Sequence, residues 1–242
     1  MQTLQMIHPA TIADNDATLT GKVFSEPRFS HTIYGEGFYN FDVEVERLST
    51  VMDILPVTVS ERIIDRAELK PGVPVRIDGQ LRSYNTYVEK ERRNRLILTI
   101  FARDIHILTE QAEAEEPEGE RRVPNEVFLN GYICKPAIYR KTPFGREIAD
   151  ILIAVNRSYN KSDYIPCIAW GRNARFAGKL AVGDNIRLWG RMQSRKYQKK
   201  LEDGQVLEKV AYEVSVSKVE CDAKSSAQED MAAGAPESGG AD

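Results

Sequence analysis

The chain has 242 residues, which is enough for one or two domains, and 42% of them are hydrophobic, so real cores can form. Its formal net charge of −3 averages segments of opposite sign. No stretch approaches the roughly 20 apolar residues that cross a bilayer, and residues 1–16 lack the pattern of a secretory signal. We therefore expect neither a membrane protein nor a secreted one.

The residue types that usually carry catalysis or metal binding are sparse and scattered. The three cysteines, Cys134, Cys167 and Cys221, are odd in number and lack metal-ligand spacing, which suits a reducing cytoplasm. The three histidines are far apart, and the sequence contains no phosphate-binding loop or nucleophile elbow. We expect no catalytic residues, no metal and no cofactor.

Residues 19–108 form the first of two similar segments. Leu19-Thr20-Gly21 matches Leu129-Asn130-Gly131, and ILPVTVSER at 54–62 matches YIPCIAWGR at 164–172. LKPGVPVRIDGQLRS at 69–83 matches LAVGDNIRLWGRMQS at 180–194. Because the offset stays near 110 residues throughout, these matches predict two copies of one fold.

Residues 109–124, between the two copies, have no apolar periodicity and contain several glutamates. Such a stretch is typical of a solvated linker. We therefore predict an acidic linker over 109–124.

The second copy, residues 125–220, shows alternation of apolar residues with a period of two, which predicts β-strands. The alternation occurs in five stretches, which span 127–133, 149–155, 165–169, 186–192 and 210–216. Residues 173–180, between the third and fourth stretches, favour a short helix.

Five short strands with a helix between the third and fourth are the plan of the OB-fold barrel. A β-sandwich is the alternative, but it usually needs more strands. The predicted fold class is therefore all-β, with two tandem five-stranded OB-fold barrels at 19–108 and 125–220.

Residues 221–242 are small, polar and acidic, and they predict a disordered acidic C-terminal tail. Charge separates this tail from the second copy. Residues 125–220 hold 17 Lys and Arg against 10 Asp and Glu, whereas the segments on either side are net negative. A polyanionic partner is therefore expected for the second copy alone.

The third strand of the second copy has two distinct faces. Ile165, Cys167 and Ala169 point one way and form a plausible barrel interior, because side chains alternate along a strand. The opposite face carries Tyr164, Pro166, Ile168 and Trp170. Two large aromatic side chains on an outer face indicate a surface that binds a partner.

Four stretches of the second copy resemble the bacterial single-stranded DNA-binding protein family in order and spacing. They are FLNGYICKPAIY, AVNRSY, YIPCIAWGR and VGDNIRLWGRMQSRKY. The resemblance implies non-catalytic, sequence-tolerant binding of single-stranded DNA in replication, recombination or repair, by a cytoplasmic, nucleoid-associated protein. The family assembles four barrels per particle, so two barrels per chain imply a homodimer.

The resemblance also implies which residues bind DNA. The positions that match the family's base-stacking aromatics are Tyr159, Tyr164, Trp170 and Tyr197. The cations around them, as candidate phosphate contacts, are Arg157, Arg172, Arg195, Lys196, Lys199 and Lys200. A single strand requires both kinds of residue, because cations follow its phosphates and aromatic rings stack on its bases.

The first copy departs from this pattern. Its third strand carries Ile54, Pro56, Thr58 and Ser60 on the outer face, so no aromatic ring is present there. Thr50 aligns with Tyr159 and Thr86 with Tyr197. Tyr84 and Tyr87 lie nearby and could substitute as stacking residues, so a second DNA site is the alternative. We expect the first copy to act in assembly or partner binding rather than to bind DNA itself.

The tail departs from the family as well, since family members end in an acidic run with a hydrophobic tip and this chain ends GAPESGGAD. Recruitment of replication or repair proteins by the tail is therefore in doubt. Two alternative functions remain open at this point. One is an OB-fold adaptor that binds proteins, and the other is a single-stranded RNA-binding protein.

Overall fold

The computed structural model describes residues 14–47, 49–64, 68–88, 93–109, 123–200, 204 and 206–221. Most of the predicted linker and nearly all of the predicted tail lie outside these ranges. The described residues form twelve strands and one helix, which confirms the all-β prediction.

The strands fall into two sets of six. The first set is β1 (Asn15–Val23), β2 (Arg28–Ile33), β3 (Glu36–Glu46), β4 (Met52–Ser60), β5 (Pro74–Val88) and β6 (Arg93–Ile107). The second set is β7 (Asn125–Ile133), β8 (Ile138–Lys141), β9 (Glu147–Arg157), β10 (Lys161–Trp170), β11 (Asn185–Lys200) and β12 (Val206–Cys221). We call the two sets the first and second barrels.

Each barrel closes through the same circuit of five strands. In the first, β1 pairs with β3 and β5, β3 with β4, β4 in parallel with β6, and β5 with β6. The second repeats this circuit with β7, β9, β10, β12 and β11. Five strands in this closed order are the predicted OB plan.

The sixth strand of each set, β2 or β8, was not predicted. Each one pairs only along the outer edge of the strand that follows it, β3 or β9. Every side chain in both is exposed. No hydrophobic alternation therefore exists from which to predict them.

The helix, which we call α1, spans Gly171–Ala177 and follows β10 directly. It begins two residues before the predicted stretch and ends three residues earlier than predicted. Ala174 and Ala177 are its buried residues and pack against the barrel core. No helix within the described ranges is long and apolar enough to cross a membrane.

Two glycines from the matching stretches occupy equivalent places in the two barrels. A Cβ atom on Gly79 would lie 2.3 Å from the carbonyl oxygen of Phe101, and one on Gly190 would lie 2.4 Å from that of Ser215. The strand register shifts at both glycines. Only glycine permits this close approach at the bulge where β5 or β11 bends.

β1 and β7 join the two barrels into one twelve-stranded sheet. They pair antiparallel from Asn15 opposite Leu129 to Leu19 opposite Asn125. Since residues 15 and 125 are equivalent in the repeat, and so are 19 and 129, this register relates the barrels by an approximate twofold axis. The axis passes between Ala17 and Val127.

Away from that axis, the buried carboxylate of Asp53 in β4 holds the other barrel. Its oxygens accept hydrogen bonds of 2.6 Å from Arg47 Nε and Nη2, and bonds of 2.7 and 2.8 Å from the backbone N–H and hydroxyl of Ser194 in β11. Burial alone would raise the pKa of Asp53, but these hydrogen bonds outweigh it and hold the pKa below its ordinary value.

Asp163, the repeat counterpart of Asp53, makes the reciprocal contact. Its Oδ1 accepts a 2.7 Å hydrogen bond from the backbone N–H of Ser83 in β5, and the Ser83 hydroxyl accepts a 2.8 Å bond from the Tyr164 N–H. The Nη1 of Arg82 and the Nε of Arg157 each lie 3.5 Å from Oδ2. The second barrel thus fixes β4 of the first, and the first barrel fixes β10 of the second.

We predict that Asp53→Ala lowers the free energy of unfolding by about 3–5 kcal/mol, because it leaves the Arg47 guanidinium without its buried partner. Urea denaturation measures the loss. Asp78→Ala is the matched control, since Asp78 also pairs with an arginine, Arg76, but both side chains are about one-third exposed. We expect that control to cost no more than about 1 kcal/mol. Equal losses in the two variants would contradict the role given to Asp53.

Candidate nucleic-acid interface

The two faces of β10 separate as predicted. Ile165, Cys167 and Ala169 are buried in the barrel core, whereas Tyr164 is 47% exposed and Trp170 is 41% exposed on the opposite face. Tyr164 and Trp170 are six residues apart, which is roughly 20 Å along a strand. Two aromatic rings are therefore presented at separate points of one surface.

Ile168 lies between these aromatics on the same face but is only 5% exposed. The predicted outer face is consequently not open along its whole length. Ile168 stands opposite Asp150 of β9 in the register, and Trp170 stands opposite Ile148. The two exposed rings are therefore separated by a buried residue, Ile168.

Tyr159 occupies the turn between β9 and β10, where its side chain is 94% exposed. Its backbone adopts the left-handed conformation, with φ of 62°, and Asn160 follows with φ of 54°. In the strand register on either side of the turn, Thr50, with φ of 63°, is the counterpart of Asn160, and Ser49 is the counterpart of Tyr159. The predicted alignment of Thr50 with Tyr159 is therefore wrong by one residue. The two barrels share one left-handed position in this turn, but only the second places an aromatic ring on it.

Arg195 and Tyr197 lie on one face of β11. The Cζ atom of Arg195 is 5.8 Å from the Tyr197 ring centroid, which is within the range of a cation–π contact. Its Nε also lies 3.4 Å from Glu213 Oε1. The arginine is therefore held beside the ring, and its side chain remains half exposed.

Three of the predicted cations are not grouped with this pair. Arg157 lies beside Asp163 at the foot of Tyr164, and Lys196 is 3.3 Å from Glu208 on an exposed part of the hairpin. Arg172 is exposed on α1 and lines a separate cavity with Tyr139, Phe176 and Lys179. Of Lys199 and Lys200 only the backbone is described, in β11 opposite Leu207 and Val206.

A groove with a volume of about 460 Å³ contains two of the predicted site residues. Arg195 and Tyr197 line it with Pro166 of the β10 outer face, so the hairpin and the third strand meet here. Arg95 to Leu98 of β6, in the first barrel, complete its wall. These four residues are not among those predicted from the sequence.

A signal for this cross-barrel arrangement was present in the sequence. Asp53 and Asp163 stand at inward-facing positions immediately before the matching third-strand stretches, and both are buried. A carboxylate is rarely buried without a partner. The repeated aspartates could have indicated a contact between the barrels, although not which residue they contact.

The equivalent face of the first barrel already has its hydrogen bonds satisfied. Thr58 and Ser60, which stand where the second barrel has Ile168 and Trp170, are both buried. The Thr58 hydroxyl bonds Asn40 at 2.9 Å and Thr99 at 3.0 Å, and Ser60 bonds Glu36. At these two positions the first barrel therefore offers neither a ring nor an unbonded hydroxyl to a nucleotide.

Among the described residues, no group of three or more His, Cys, Asp or Glu side chains is arranged to hold a metal ion. The three cysteines are free, and burial raises the pKa of Cys167 far above its ordinary value. A thiol in that state is not a ready nucleophile.

Residues 124–222 match the model of the Single-strand binding protein family. "Single-stranded DNA-binding protein A" of Bacillus subtilis (strain 168) is 35% identical over 81 residues, which are 31% of this chain and 47% of that protein. "Single-stranded DNA-binding protein 1" of Staphylococcus aureus (strain COL) is also 35% identical over 81 residues, and 48% of it is covered. The chain spans about half the length of these curated relatives.

A solved structure extends the likeness to both barrels. The wild-type single-stranded DNA binding protein from Thermus aquaticus superposes with a TM-score of 0.66, over 88% of this chain and 95% of that one. The sequence identity is 19%, so this similarity concerns the fold.

We predict that Tyr159→Gly raises the free energy of unfolding by about 1 kcal/mol, because glycine adopts the left-handed conformation without the steric cost of a Cβ atom. Tyr159→Ala is the matched control, since it removes the exposed ring but keeps the Cβ atom. Thermal denaturation should leave the alanine variant within about 0.5 kcal/mol of the parent. If the glycine variant proves the less stable of the two, the turn carries no such strain.

Proposed function

We propose that this chain, whose residues 124–222 match the Single-strand binding protein family, binds single-stranded DNA without catalysing a reaction on it. The observation that carries the proposal is the exposure of Tyr164 and Trp170 on the outer face of β10. Rings of this size on a strand surface leave apolar area in water unless a partner covers it.

Base stacking explains why the partner is a single strand. Bases in a duplex already stack on one another, whereas unpaired bases can stack on an aromatic side chain for about 1–3 kcal/mol each. Every base has a flat face, so this binding tolerates any sequence. The net positive charge of residues 125–220 supplies the complementary attraction to phosphates.

The proposed site combines two kinds of residue. The stacking positions are Tyr159, Tyr164, Trp170 and Tyr197. The phosphate contacts are Arg157, Arg172, Arg195, Lys196, Lys199 and Lys200. Their separation along β10, α1 and the β11–β12 hairpin suits an extended ligand that crosses the surface, rather than a compact one held in a single pocket.

We further propose that the outer face of the first barrel does not stack bases. Its polar groups are already bonded within the barrel, and its described segments lack the positive charge of the second. Two barrels per chain support assembly as a homodimer with four barrels. Such a particle would act in DNA replication, recombination or repair in the cytoplasm.

We predict that Trp170→Ala weakens binding to an oligo-dT strand by about 1–3 kcal/mol without unfolding the chain, because one stacking surface is lost. Fluorescence anisotropy of labelled oligo-dT measures the change. Tyr34→Ala is the matched control, because Tyr34 is a fully exposed aromatic in the β2–β3 turn of the first barrel. We expect that variant to bind as the parent does.

The same titration should include oligo-rU and duplex DNA. Weaker binding of the duplex is the expected result. Tighter binding of oligo-rU would favour an RNA-binding function, and unchanged oligo-dT affinity in a folded Trp170→Ala chain would contradict the stacking proposal.

A further inference from the structure

We infer that the first barrel supplies part of the DNA-binding surface of the second, with Arg95 as a phosphate contact in the groove between them. This inference rests on the proposed function and deepens it. The first barrel's own outer face is proposed not to stack bases, and its contribution comes instead from the long β5–β6 hairpin.

The groove is built from both barrels. Arg95, Leu96, Ile97 and Leu98 of β6 form one wall, and the opposite wall comes from β9, β10, β11 and β12. Two of the proposed site residues, Arg195 and Tyr197, line the same space. A strand that stacks on Tyr197 therefore passes the β6 residues of the first barrel.

The lining of the groove has the mixture that a nucleotide requires. Its apolar and aromatic surfaces, which suit a base, come from Ile97, Leu152, Pro166, Tyr197 and Tyr212. Its cations, which suit phosphates, come from Arg95, Lys135, Arg140 and Arg195. Neither surface alone would distinguish a nucleotide from an apolar ligand or a simple anion.

Two of these four cations lie beside carboxylates within the groove and two do not. Arg140 pairs with Asp150, and Arg195 lies beside Glu213. Within the described part of the chain, Arg95 and Lys135 have no carboxylate partner. The groove therefore carries an excess of positive charge, to which Arg95 of the first barrel contributes half.

The guanidinium of Arg95 is held in place by a hydrogen bond that occupies only one of its N–H donors. Its Nη2 donates a 3.0 Å hydrogen bond to the backbone carbonyl of Val210, which fixes the group against β12. A guanidinium has five N–H donors, so the others remain for a phosphate. A donor that is already positioned loses little entropy on binding.

The hairpin that carries Arg95 is itself anchored to the binding face. Ser83 of β5 bonds both Asp163 and the backbone N–H of Tyr164. Tyr164 is a proposed stacking residue, so the same hairpin fixes one stacking position and provides a cation that lines the groove. The β5–β6 hairpin is therefore bonded to the second barrel at two residues, Ser83 and Arg95.

The test compares three variants of the full-length chain by anisotropy titration of labelled oligo-dT over a series of salt concentrations. Arg95→Gln removes the charge, and Arg95→Lys keeps it. Arg62→Gln is the control, because Arg62 is an exposed cation of the first barrel that lies outside the groove and pairs with Glu36.

We expect Arg95→Gln to weaken binding roughly tenfold and to reduce the log–log salt slope by about 0.7, the value for one phosphate contact on a single strand. Arg95→Lys should keep the slope of the parent, because it retains the charge. Arg62→Gln should change affinity by less than about twofold, since salt screens distant surface charges.

Two results would overturn the inference while the proposed function stands. In the first, Arg95→Gln matches Arg62→Gln although Trp170→Ala is impaired. In the second, Arg95→Gln and Arg95→Lys lose affinity equally and with an unchanged slope, which identifies a purely structural role in the bond to Val210. If the parent fails to bind oligo-dT, the proposed function itself is wrong.

Discussion

The structure depends on the burial of two aspartates, each of which accepts a hydrogen bond from the opposite barrel. Asp53 and Asp163 have no more than 1% of their side chains exposed, and each accepts the backbone N–H of a serine from the other barrel. A buried carboxylate without such partners would cost several kcal/mol. Together with the β1–β7 pairing, these contacts make the two barrels one body.

This reciprocal arrangement has an asymmetric consequence. The barrels are related by an approximate twofold axis, yet only the second presents aromatic rings on its third strand. The contact at Ser83 places the first barrel's β5–β6 hairpin against the backbone N–H of Tyr164. The first barrel thus has no aromatic ring on β4 but contacts the strand that carries Tyr164, a proposed stacking residue.

The sequence predicted those features that depend on one segment at a time. Alternation located the five strands of the second barrel and the two faces of β10. The matching stretches also contain Gly79 and Gly190, which occupy equivalent bulges in the structure. Alternation does not specify which strand pairs with which. The β1–β7 junction, the exposed strand β8 and the position of Arg95 in the groove were therefore missed.

Net charge could be predicted from the sequence, but the ion pairs between strands could not. The excess of cations in residues 125–220 pointed to a polyanion, and the exposure of Arg172 and Lys196 agrees with that expectation. The sequence could not show that Arg195 and Arg140 lie beside carboxylates, because Glu213 and Asp150 come from other strands. Which cations remain for a phosphate is decided by the fold.

The central claim, that bases stack on Trp170, is tested most directly by its own fluorescence. The chain has two tryptophans, and Trp189 packs against Phe128 and beneath Lys218 Nζ, which lies 4.4 Å from its ring centroid. A Trp189→Phe chain reports on Trp170 alone, and a Trp170→Phe chain reports on Trp189 alone. Saturating oligo-dT should strongly quench the first and leave the second nearly unchanged. Binding by anisotropy without quenching of Trp170 would contradict the account.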